Sequence, residues 1–239
     1  MDGAEQAGRA GLGVGAYNLF EASRIIRVPY QKLRRWASGY WYVDEDIERY
    51  SAAVVPHAAG DEGEERVLSF YELMELFVIG FYRSEGVSMQ VVRAARAVAQ
   101  KLYGTEYPFA MQKLPTDGKR IFAELAESSA LDIPGKRLTV ELTKSQIAMD
   151  AVVGPFFKEL DFDHGLAYRY WPLGRQRPVI LDARRAFGRP IVERRGVPTY
   201  ALFNMVEGGE ERNLVAEWYQ VSRDELDTAI EYELMLRAA

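Results

Sequence analysis

Apolar positions follow a helical period in several stretches of this chain and alternate in others. From Ser69, the residues Phe70, Leu73, Met74, Phe77, Val78 and Phe81 share one helix face. After Gly86, Ser88 stands where a helix cap belongs. Val91, Val92, Ala95, Val98, Ala99 and Leu102 then point inward up to Gly104, with Arg93, Arg96 and Lys101 outward. Upstream, Leu19, Ala22, Ile25 and Ile26 mark a short helix, and Tyr30, Leu33 and Trp36 mark another. Val28-Pro29 separates them, because proline ends one helix and suits the first turn of the next. A serine, threonine or asparagine followed three residues later by Glu or Gln predicts a helix start at Asn18/Glu21, Ser69/Glu72, Thr143/Gln146 and Ser222/Glu225. Gly154-Pro155 should end or kink the helix from Thr143. Three more helices fit near 199–207, 211–219 and 223–236.

Alternation predicts the strands. Residues 41–67 suggest a short hairpin. Phe109–Leu114, Pro-Thr-Asp-Gly at 115–118 and Arg120–Phe122 read as a second hairpin, and Lys136–Leu142 as a further strand. Residues 159–181 alternate around a turn at Asp163–Gly165. The expected fold is α+β, mainly α. It comprises a flexible tail (1–16), a winged helix-turn-helix (17–104), a mixed β-hairpin and helix connector (105–177) and a C-terminal three-helix unit (178–239).

Composition narrows the chemistry. The 239 residues carry a net charge of −5, no cysteine and two histidines, His57 and His164. Disulfides, thiolate metal sites and cysteine nucleophiles are excluded, and zinc or Ser-His-Asp chemistry has little to draw on. The first residues lack the apolar core of a signal peptide, and Leu76–Tyr82, the longest apolar run, is too short for a bilayer. A cytoplasmic protein with no membrane association, no cofactor and no metal is expected. Any nucleic-acid site must be a local basic face on an acidic molecule.

Such a face is present in the first helix pair. Arg24, Arg27, Lys32, Arg34 and Arg35 point away from its apolar positions against a single acid, Glu21. With Tyr30 they form the candidate DNA-binding set, since arginine and lysine neutralise phosphates and a groove helix can read base edges. The alternative is a solvated basic face on an ordinary helical hairpin.

The segments YNLFEASRIIRVPYQKLRRW and LSFYELMELFVIGFYRSEGVSMQVVRAARAV resemble a MerR-type winged helix over about residues 17–103. The family's Gly-[Val/Phe]-Ser turn into a helix corresponds to Gly86-Val87-Ser88 through Arg93. The chain lacks the long C-terminal dimerisation helix of that family and the cysteines of its metal-sensing branch. A second resemblance spans about 178–236. Gly188-Arg189-Pro190-Ile191-Val192, Gly196-Val197-Pro198-Thr199 and Val215–Ser222 are similar to a small three-helix antitoxin domain that accompanies PIN-domain toxins, which are Mg²⁺-dependent ribonucleases. Glu193-Arg194-Arg195 departs from that pattern's small residues. Together the two segments resemble VapB-type antitoxins.

The resemblance implies a non-enzymatic antitoxin that neutralises a PIN-domain toxin and, as a homodimer, represses its own operon by binding operator DNA. Arg184, Arg185, Arg189, Arg194 and Arg195 would bind the toxin by pairing with its metal-binding carboxylates. Scattered surface arginines are the plainer reading. The C-terminal helices are acidic, with nine carboxylates from Glu207 to Glu233 against Arg212, Arg223 and Arg237. They suit a protein partner better than phosphates. Two other functions remain open: a MerR-like regulator sensing a small apolar ligand in the aromatic-rich middle, and an adaptor that binds no DNA. Phe156, Phe157, Phe162, Tyr168, Tyr170 and Trp171 otherwise read as core. Glu159, Asp161, Asp163 and His164 read as an alternating strand and turn rather than a metal site. The acids after the recognition helix (Asp44, Glu45, Asp46, Glu48, then Asp61–Glu65) are wrong for a wing that touches phosphate.

Overall fold

The computed structural model describes residues 15–55, 66–127 and 135–238. The expected tail up to residue 14, His57 and the acids Asp61–Glu65 lie outside them. The fold is α+β and mainly α, with a helix-turn-helix at its N-terminal end.

The first unit begins with β1 (Tyr17–Asn18), which pairs antiparallel with β4 (Val67–Leu68). Next come α1 (Leu19–Ile26), α2 (Tyr30–Ser38) and a hairpin of β2 (Tyr40–Asp44) and β3 (Ile47–Ser51), then α3 (Phe70–Ser84) and α4 (Met89–Tyr103). Local chemistry sets these boundaries. Asn18 with Glu21 and Ser69 with Glu72 form reciprocal capping boxes, and Ser88 caps α4. The same device opens the last helix of the chain's described residues at Ser222/Glu225.

The middle region departs from expectation. Residues 107–122 form a short 3₁₀ turn (Pro108–Ala110) and the start of α5 (Leu114–Glu127), not a hairpin. Lys136–Leu142 belongs to α6 (Gly135–Ala148), not a strand, and Thr143 is interior to it rather than its cap. A π-helical turn (Met149–Val153) leads straight into α7 (Gly154–Lys158), so the backbone stays helical through Gly154-Pro155 instead of ending there. The Pro-Thr-Asp-Gly sequence misleads because Pro115 is tolerated in a first helical turn. Gly118 serves packing: a Cβ there would sit 2.6 Å from Met149 Cε.

A four-stranded antiparallel sheet follows in the order β5 (Leu160–Asp163), β6 (Leu166–Tyr170), β7 (Val179–Asp182), β8 (Pro190–Val192). The β5–β6 turn falls at the expected place, with His164 and Gly165 both at positive φ. Finally, α8 (Thr199–Glu207), α9 (Arg212–Tyr219) and α10 (Arg223–Arg237) match the three expected helices.

Two apolar cores result. The larger joins α1–α7 and the sheet, and includes Tyr232 of α10. The smaller lies among α8, α9 and α10 around Leu202, Val215, Leu226 and Ala229. The aromatic middle is core: Phe77, Phe156 and Tyr170 pack with ring centroids 5.0–5.3 Å apart. Inside the larger core Arg96 Nε donates to Glu75 Oε2 at 2.6 Å, and Phe109 N–H donates to Glu75 Oε1 at 2.5 Å. Burial pushes the Glu75 carboxyl upward while Arg96 pulls it back.

Tyr17 ties the N-terminal unit to the loop before β8. Its ring is buried, and its hydroxyl donates to the Gly188 carbonyl at 2.6 Å. Tyr17→Phe removes that donor and leaves a buried carbonyl unsatisfied. The expected loss is about 1–3 kcal/mol of unfolding free energy, read from urea midpoints.

Candidate nucleic-acid interface

The helix-turn-helix depends on one strained residue. Arg27 ends α1 in the left-handed conformation (φ 59°), and its N–H and that of Val28 both return to the Ser23 carbonyl. The chain then turns through Pro29, whose carbonyl accepts from Lys32 and Leu33 at 2.9 and 3.0 Å. Leu33, Trp36 and Ala37 are buried, which fixes the rotation of α2. The outward face therefore carries Gln31, Arg34, Arg35 and Ser38, flanked by Tyr30 and Lys32, all exposed. Helix α2 contains no acid. Among the described residues, Lys32 and Arg34 have no ion-pair partner. Arg35 lies over the Tyr40 ring at 5.2 Å.

The six residues expected at this site separate into two groups. Tyr30, Lys32, Arg34 and Arg35 share the free surface of α2. Arg24 and Arg27 turn to the C-terminal helix instead. Arg24 Nε donates to the Leu236 carbonyl at 2.6 Å, and the Arg27 guanidinium rests against Met235 Sδ. Gln31 and Ser38 join the exposed face without having been singled out. Their position follows from the helical period: they lie opposite Leu33, Trp36 and Ala37, at the centre of the face.

The wing is the β2–β3 hairpin. Glu45 and Asp46, at φ 48° and 64°, form its two-residue turn, a conformation that usually calls for Asn or Gly. Its tip is acidic, with Asp44 paired to Arg49 at 3.3 Å. Its sides are aromatic, with Trp41 70% exposed and tilted against the Tyr50 ring at a centroid distance of 5.1 Å. Arg93 of α4 holds the foot of the wing through Ser51, Ala52 and Ala53.

The five arginines of the expected toxin-binding set are dispersed. Arg184 pairs with Asp163 and covers the Tyr168 ring. Arg189 faces Glu21 at 3.8 Å and lies over Tyr200. Arg194 grips Glu225 with two bonds of 2.8 and 2.9 Å, and Arg195 Nε donates to the Gln220 carbonyl at 3.0 Å. Arg185 packs against Gly196. No group of three or more metal-ligating side chains occurs among the described residues. No helix among them is long and apolar enough to cross a membrane.

Comparison with known proteins bears on this geometry. Residues 16–96 match the family described as "Putative DNA-binding HTH domain". That span takes in the whole helix-turn-helix and the wing. The chain is also similar, at 28% identity, to the Mycobacterium tuberculosis protein named "Putative antitoxin VapB45", over 91% of this chain and 93% of that one. The crystal structure of Rv2018 from the same organism superposes with a TM-score of 0.67 at 25% identity, covering 90% of this chain and 96% of that one. The likeness thus runs through both ends of the molecule.

The Arg194–Glu225 pair yields a pH test. The Arg194 guanidinium holds the Glu225 carboxyl below the ordinary value near 4.5, helped by the Ser222 N–H. A depressed carboxylate stabilises the fold above its unfolded pKa, and that contribution is lost as pH falls through the folded one. Arg194→Ala should therefore be less stable than the unaltered chain above about pH 6. The gap should narrow on acidification, as measured by urea midpoints at a series of pH values.

Proposed function

We propose that this chain is a cytoplasmic antitoxin that binds operator DNA through α2, represses its own operon and neutralises a PIN-domain ribonuclease toxin, with no catalytic step of its own. The observation that carries the DNA-binding half is the outward face of α2. It holds cations free of carboxylate partners on a protein that is otherwise acidic. Phosphate contacts by such residues supply most of the affinity for a duplex. Tyr30, Lys32, Arg34 and Arg35, with Gln31 and Ser38 between them, form the contact surface. Arg24 and Arg27 seat the helix pair on α10 and set its angle. The arrangement of helix pair, wing and second helix pair is MerR-like, and a homodimer on a two-fold site would present two such helices to successive major grooves.

The antitoxin half draws on the full-length similarity to a protein so named and on the acidic three-helix unit. Arg184, Arg185, Arg189, Arg194 and Arg195 lie around this unit. Arg194 and Arg195 tie the loop after β8 to Glu225 and Gln220, while Arg184 reaches back to the β5–β6 hairpin.

Arg34→Ala with Arg35→Ala should weaken operator binding at least tenfold and lower the magnitude of the log K against log salt slope by about two, one per lost phosphate contact. Electrophoretic mobility shift across a salt series measures both. Unchanged affinity and slope would remove α2 as the DNA site.

A further inference from the structure

The exposed side of α9 and its flanks carry an apolar pair and a group of carboxylates that the chain does not itself use. Leu214 and Trp218, one helical turn apart, are 39% and 53% exposed. Val215 and Ala216 face the small core from the other side of the helix. Glu210, Glu217 and Asp224 nearby have no cationic partner among the described residues, and Glu211 accepts only from the Asn213 amide at 3.0 Å. The guanidiniums within reach do not neutralise this field. Arg212 and Arg223 both close on Asp227, at 2.6 and 2.9 Å.

We propose that this face docks into the cationic RNA-binding groove of the ribonuclease toxin, with the carboxylates at phosphate positions and Trp218 where a base would stack. The proposal rests on the antitoxin reading above and specifies its contact surface. A ribonuclease must hold a polyanion, so its groove presents Lys or Arg and flat apolar platforms. An acidic rim around a large exposed ring is complementary to such a groove. Nucleic acid itself is repelled by the same rim. Tryptophan is also the residue most enriched where binding energy concentrates. Neutralisation by this route needs no free arginine, which suits a molecule in which Arg184, Arg189, Arg194 and Arg195 already have internal partners. It also blocks the substrate rather than displacing the metal, so it does not depend on Mg²⁺.

The test uses the full chain, the product of the neighbouring reading frame as the ribonuclease of the proposal, and a fluorescein-labelled RNA oligonucleotide. The unaltered chain should bind the ribonuclease and displace the RNA, with or without Mg²⁺. Trp218→Ala should weaken the complex by about tenfold or more. Glu210→Lys with Glu217→Lys should weaken it similarly and flatten its dependence on salt. Both variants should keep the unaltered unfolding profile and operator affinity, because these side chains are exposed and remote from α2. If both bind like the unaltered chain, the surface is wrong and the antitoxin reading stands. If the unaltered chain does not bind the ribonuclease at all, both fall. Self-association in sedimentation that is abolished by Trp218→Ala would assign the face to a second copy of the chain and overturn the proposal.

Discussion

The fold hinges on a small knot where Ala16 and Tyr17 meet the loop before β8. Ala186 and Phe187 hold positive φ angles of 48° and 55°, followed by Gly188 at 77°. Two non-glycine residues in that region cost on the order of 1 kcal/mol each or more. The distortion aims two carbonyls at the N-terminal strand. Phe187 accepts from the Ala16 N–H at 2.8 Å and Gly188 from the Tyr17 hydroxyl. Burial raises the Tyr17 pKa, so the hydroxyl remains a neutral donor. Tyr17 also pairs with Leu68, immediately before α3. Tyr17, through its hydroxyl and its backbone together, thereby joins the start of the helix-turn-helix, the start of the second helix pair and the entry to the C-terminal unit.

Charge is sorted over this frame rather than balanced everywhere. Cations accumulate on α2 and acids on the wing tip, in the turn before α9 and at the start of α10. The wing's acidic tip and aromatic flanks sit on the same unit as the cationic helix. Its turn points carboxylates where a phosphate-binding wing would carry lysine. Arg93 ties the hairpin's foot to α4, so the wing's direction is set by the second helix pair and not by DNA.

Local signals proved the most legible. Asn18/Glu21, Ser69/Glu72 and Ser222/Glu225 state their helix starts within four residues, because a capping box is a contact between near neighbours. The Asp163–Gly165 turn was readable for the same reason. Thr143/Gln146 has the same spelling but lies inside α6, where long-range packing overrides the local pattern. Buried Glu141, two residues earlier, instead accepts from the Ser88 N–H at 2.7 Å and serves the neighbouring helix α4. Gly118 looked like a turn glycine because its true reason, the approach of Met149, comes from a residue 31 positions away. At the candidate site, the exposed face of α2 could be read from the spacing of Leu33 and Trp36. The diversion of Arg24 and Arg27 could not, since their partners are Leu236 and Met235 at the far end of the chain.

That far end has a structural consequence of its own. Helix α10 gives Leu226, Ala229 and Ile230 to the small core, then Tyr232, Met235 and Leu236 to the large one. It is the shared wall of two rooms. A protease that nibbled inward from the C-terminus would first strip the floor beneath α1, baring Ile25 and Ile26, before it reached the three-helix unit's own interior. Loss of the last turn of α10 would thus loosen the helix-turn-helix first, while the three-helix unit still kept its own core.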